Sequence, residues 1–138
     1  VSDSQKSAIS TSWAGVDLQA VGTAFYVHLA ADVPDVYAVF NLGADPHGAK
    51  SQAQGLKVMQ FVDSCVTSIQ DMSAVLAKID VLALRHTNYG ARKAHFPLAK
   101  ASFLAALSEG LGAKFNDAAA AWAVFYEVMA SGLGAHFS

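Results

Sequence analysis

The sequence predicts an all-α fold of about seven helices, and three observations carry that prediction. Apolar residues recur at helical spacing along most of the chain. Alanine is abundant while alternating β-branched runs are absent. The three prolines punctuate segments: Asp32-Val33-Pro34 and Asp45-Pro46 each place a capping residue ahead of a proline, and Pro97 falls in the first turns of a later segment. A chain of 138 residues suits one domain, residues 1–138, with one core. Its content of 54% hydrophobic and 14% charged residues is more apolar than an ordinary soluble domain. Such a chain either buries that surface efficiently or wraps something apolar.

Several function classes are disfavoured at this level. No apolar run approaches the roughly 20 residues that span a bilayer, and Val1-Ser2-Asp3-Ser4-Gln5-Lys6 carries no apolar signal segment. The net charge is -2 and the nine basic residues are scattered, so no nucleic-acid patch is expected. The lone Cys65 excludes an intrachain disulfide and reads as a small buried hydrophobe. There is no zinc-ligand spacing, no glycine-rich phosphate loop and no Gly-x-Ser-x-Gly.

The first segment runs from Ser4 to about Val16, with Ile9 and Trp13 on one face. The second spans Leu18 to about Ala31 and turns Val21, Phe25, Tyr26 and Leu29 inward. A short helix starts near Pro34 and ends by Phe40, and Asn41 to Asp45 form a loop. A long helix from about Pro46 to Ile69 carries Val58, Phe61, Val62 and Cys65 as its apolar stripe, and Ser73 to His86 forms the next. A break around Gly90 leads to a helix from about Lys93 to Glu109, ended by Gly110-Leu111-Gly112. Asn116 or Asp117 is expected to cap the last helix, which carries Trp122, Phe125, Tyr126 and Met129.

Of the five histidines, His47 and His136 read as solvated, His28 as half-exposed, and His95 as a surface residue near a helix start. His86 closes an apolar run, Ile79-Asp80-Val81-Leu82-Ala83-Leu84-Arg85-His86, with Leu82 one turn earlier on its own face. On local pattern alone the simpler reading is a satisfied core histidine. The other reading is an imidazole that donates one ring proton to a helical carbonyl and offers its second nitrogen to iron. Gln54 is similarly ambiguous, as the polar end of an apolar stripe or as a pocket donor. Tyr26 aims a third polar tip inward, and a buried tyrosine hydroxyl ordinarily needs a partner.

The order of these features resembles the globin family over nearly the whole chain. Trp13 is similar to the tryptophan of the family's first helix, and Pro34 with Phe40 to the short third helix and its haem-stacking phenylalanine. Ala53-Gln54-Gly55 with Val58 resembles the distal motif, Leu82 with Leu84-Arg85-His86 the proximal helix, and Trp122 a tryptophan of the last helix. The short link between Phe40 and Gln54 resembles globins that lack the small fourth helix, and the proximal stretch looks most like intracellular globins of annelid or mollusc type.

The resemblance implies a globin fold around a haem b pocket and a cytoplasmic protein. It implies that His86 ligates the iron, that Phe40 wedges the porphyrin, that Val58 lines the ligand pocket, that Leu82 lies under the ring and that Phe96 flanks it. Arg85 or Lys57 is the candidate to reach a propionate. The departure from the family pattern is Gln54 in place of the usual distal histidine, paired with Tyr26. Both side chains can donate hydrogen bonds to dioxygen, which implies tight, slowly released oxygen and weaker gain for carbon monoxide. The implied function is reversible oxygen storage or transport without enzymatic turnover, by a monomer or an oligomer with other globin chains. The alternative is a nitric-oxide dioxygenase-like globin served by an external reductase.

Overall fold

Helices account for most of residues 1–85 and 93–135, the part of the chain that this computed structural model describes. In order they are α1 (Asp3–Trp13), α2 (Leu18–Asp32), α3 (Pro34–Ala38), α4 (Ala49–Thr67), α5 (Met72–Arg85), α6 (His95–Leu111) and α7 (Ala113–Gly134). No strand occurs among the described residues. No helix among them is long and apolar enough to cross a membrane.

The helix ends differ from the sequence expectation where local hydrogen bonding decides. α1 starts before Ser4 because Ser2 and Gln5 form a capping box: Ser2 Oγ accepts from the Gln5 amide at 3.1 Å and Gln5 Oε1 accepts from the Ser2 amide at 2.8 Å. It stops at Trp13, short of Val16, because the chain turns through Gly15 at φ 74°. α4 starts at Ala49 and not at Pro46, since Asp45 closes a turn: its carboxylate accepts from the His47 amide at 2.9 Å and its carbonyl from the Gly48 amide at 3.0 Å. α7 needs neither Asn116 nor Asp117 as a cap. Gly112, at φ 60°, reverses the chain directly between α6 and α7.

α2 is the central element, packed against α4, α6 and α3. α1 and α6 both pack on α7. The α1–α7 contact is built on two tryptophans whose ring centroids lie 5.3 Å apart. Both indole N–H groups are satisfied, Trp13 Nε1 by Asp63 at 2.8 Å and Trp122 Nε1 by the buried Ser12 hydroxyl at 2.9 Å. Val75, Ile79 and Ala83 are the buried residues of α5, Ile79 abuts Gly132 of α7, and α5 makes no more than marginal contact with any other helix among the described residues. α4 and α5 therefore stand apart.

α2 and α4 meet backbone to backbone. A Cβ added to Gly55 would lie 2.6 Å from the Gly22 carbonyl carbon and oxygen, and one added to Gly22 would lie 2.3 Å from the same atoms of Gly55. The atoms met are backbone in both cases, so only a shift of the helix axes could make room. Gly55→Ala is expected to destabilise the protein by about 3 kcal/mol through that forced separation. Urea unfolding measures it, and an unchanged midpoint would show that the two helices can part freely.

Candidate functional site

The glycine crossing places the first polar groups of the site. Gly22 precedes Tyr26 by about one turn of α2, and Gly55 directly follows Gln54 on α4. Where the backbones touch, Tyr26 and Gln54 are brought side by side. The Gln19 amide, which donates to the Gln52 carbonyl at 2.8 Å, ties the same two helices together one turn further back.

Tyr26 is fully buried in a cage of rings. Phe25 lies 5.0 Å from it, Phe40 5.2 Å and Tyr37 6.3 Å between centroids, all edge-on. Its hydroxyl has no hydrogen-bond partner of ordinary geometry among the described residues. Burial drives its pKa well above the ordinary tyrosine value. Gln54 is near enough to pull it down somewhat, and the neighbouring Tyr37 pushes it up. The group is a neutral donor at any physiological pH.

Gln54, Val58 and Phe61 follow at i, i+4 and i+7 along α4 and are all half-buried. Across from them, α5 presents Ala77, Lys78, Val81 and Leu82, which with Phe61 line an open apolar cleft of about 310 Å³. Lys78 Nζ bridges its walls by donating to Ser64 Oγ at 2.8 Å. Behind the cleft the Cys65 thiol is buried, and desolvation pushes it up to about 11 despite the nearby Lys78, so it behaves as a small apolar group. Phe96 is half-buried in the first turn of α6, where its carbonyl accepts a hydrogen bond from the Tyr126 hydroxyl of α7.

Tyr26, Gln54 and Phe40 are thus gathered beside the α2–α4 crossing, Val58 lies one turn beyond Gln54 on α4, and Leu82 lines the cleft opposite Phe61. His86 lies outside the described residues, as does the side chain of Arg85. Lys57 is exposed. His28 is half-buried and pairs with Glu109 of α6 at 2.7 Å, away from the cleft. The sequence reading missed Gly22, Tyr37 and Ser51. A signal for Gly22 was available, because a glycine one turn before Tyr26 matches Gly55 beside Gln54.

Two features of this arrangement call for a ligand. A buried hydroxyl without a partner costs about 1–3 kcal/mol, and Tyr26 carries one. Phe40, Val58, Phe61 and Leu82 are apolar yet only half-buried, and the last two face the open cleft. A flat apolar group with a polar ligand at the Tyr26 end would cover the one and satisfy the other. Compared with known families, residues 23–133 match the model described as Globin. The matched stretch contains Tyr26, Phe40, Gln54, Val58, Leu82, His86 and Phe96.

Burial also raises the Tyr126 hydroxyl, with Glu127 adding to the effect. For both tyrosines the unfolded chain gives up its proton near the ordinary value of 10.0 while the folded chain keeps it. Their contribution to stability is whole below that pH and declines as pH rises above it. The urea midpoint of the ligand-free chain is expected to fall on that alkaline limb, and less steeply in Tyr26→Phe. Equal slopes for the two proteins would count against a buried, protonated Tyr26.

Proposed function

The chain belongs to the globin family, and from that premise we propose that it is a haem protein that binds dioxygen reversibly and releases it slowly. Globins typically bind haem, and family members generally bind oxygen. The observation that carries the reading for this chain is the buried Tyr26 hydroxyl, which has no partner of ordinary hydrogen-bond geometry and has Gln54 beside it.

The residues fit the group. Haem b, when bound, supplies an iron centre that coordinates diatomic molecules. Phe40, Val58, Leu82 and Phe96 would hold the porphyrin by burying apolar surface, at about 25 cal/mol per Å² removed from water. His86, the residue after Arg85 in the sequence, would supply the imidazole for the iron. Phe61 extends the same apolar wall along α4.

Tyr26 and Gln54 set selectivity. The Tyr26 hydroxyl stays protonated, and the Gln54 carboxamide offers N–H donors and no acid–base chemistry. Dioxygen accepts hydrogen bonds well in such a pocket and carbon monoxide poorly. Hydrogen bonds to a partly charged acceptor contribute roughly 1.5–3 kcal/mol each, so each donor slows oxygen release by about tenfold or more. The paired donors favour storage or transport at low oxygen.

The expected outcome is a purified protein whose reduced form changes its visible spectrum reversibly on exposure to oxygen. A colourless protein that is not stabilised by added haem contradicts the reading. In Tyr26→Phe, stopped-flow displacement of oxygen should run about tenfold faster or more, with carbon monoxide release little changed. Wild-type oxygen release in that variant removes Tyr26 from the account.

A further inference from the structure

We propose that Tyr37 and Ser51 are positioning residues: a buried latch that holds Tyr26 and Gln54 in register and so governs how readily a diatomic ligand leaves the pocket. The proposal rests on the haem-globin reading above. Ser51 is fully buried in the first turn of α4, and Tyr37 of α3 is 7% exposed. The Tyr37 hydroxyl donates to the Gly43 carbonyl at 2.9 Å and lies 2.9 Å from Ser51 Oγ. A phenol has one proton. With that proton committed to Gly43, Ser51 is the donor to Tyr37, which it favours over the Asp45 carbonyl at 3.5 Å. Three segments, α3, the 41–48 link and the start of α4, meet at this one oxygen.

The latch matters because those segments hold themselves weakly. α3 has five residues, too few to persist as a helix without tertiary support. The link passes through left-handed backbone at Asn41, φ 54°, and Gly43, φ 87°. Asparagine tolerates that region better than most side chains, and glycine adopts it freely, but neither favours it over other conformations. Both ends of the latch reach the site. Tyr37 sets the link that carries Phe40, and the rings of Tyr37 and Phe40 both press edge-on against Tyr26. Ser51 lies about one turn before Gln54 on α4. An α4 first turn released from Tyr37 frees Gln54 to swing from the pocket, while the ring cage around Tyr26 loosens.

The test uses Tyr37→Phe and Ser51→Ala in the full chain, with Tyr26→Phe as the reference. Hydrogen exchange in the haem-free protein reads the latch directly. Exchange of the Gly48 and Gln52 amides, which bond to the Asp45 and Gly48 carbonyls, is expected to quicken about fivefold to tenfold. Exchange in α7 should stay as in wild type. Oxygen release from the haem-loaded variants should quicken about threefold to tenfold, more in Tyr37→Phe, which loses both bonds. Unchanged exchange at Gly48 and Gln52, or equal acceleration in every helix, overturns the latch whatever the ligand kinetics. Local acceleration with wild-type oxygen release, while Tyr26→Phe releases fast, overturns the coupling and leaves the proposed function standing. Wild-type release in Tyr26→Phe overturns the function reading and this inference with it.

Discussion

The backbone contact between Gly22 and Gly55 is the constraint on which the rest of this structure depends. No other residue type fits either position without moving a helix, because each missing Cβ would meet main-chain carbon and oxygen. That contact brings α2 and α4 to their closest approach and fixes how each is turned about its axis. Once it is made, the residue one turn along α2 and the residue next door on α4 face the same space. They are Tyr26 and Gln54. The polar character of the pocket is therefore a consequence of a packing decision made by two side chains that are absent.

The opposite side of the pocket is held differently. α5 leans on α7, where Ile79 abuts Gly132, and among the described residues it meets α4 through the Lys78–Ser64 bond and across the cleft lined by Phe61 and Leu82. An apolar cleft kept open between two helices is unstable against collapse unless something else holds the helices apart. Here the separate seating of each helix does so. α4 is pinned to α2 by the glycines, and α5 is pinned to α7. A ligand that fills the cleft adds apolar burial without having to pry helices from one another, which is the condition for a preformed pocket.

Within that pocket the polar groups are few and costly. Tyr26 is walled in by aromatic edges, so burial holds its hydroxyl in the neutral form well above the ordinary tyrosine range. A hydroxyl held so, with only Gln54 close to it, can donate to whatever enters, and the low local polarity strengthens the bond it makes. The Tyr37–Ser51–Gly43 cluster shows the contrasting solution: the same chemistry, fully satisfied internally, serves to fasten a loop. Two tyrosines a ring apart thus differ in role because one has partners and the other does not.

Most of the helical framework was legible in the sequence because helix periodicity and proline placement are local signals. Val21, Phe25, Tyr26 and Leu29 are indeed the buried face of α2, and Trp122, Phe125, Tyr126 and Met129 that of α7. The ends were less legible: Asp45 closing a turn and Gly112 replacing a capping side chain are matters of a few hydrogen bonds that compete at nearly equal energy. The order of Pro34, Phe40, Gln54, Val58, Leu82 and His86 carried the family by itself, and the match over residues 23–133 agrees with it. What only the tertiary structure decided is which polar side chains have partners. Tyr26 and Tyr37 look equivalent in the sequence, each an inward tyrosine on a helix. Their difference arises because hydrogen bonding depends on distances between segments far apart in the chain, and those distances are set where Gly22 meets Gly55.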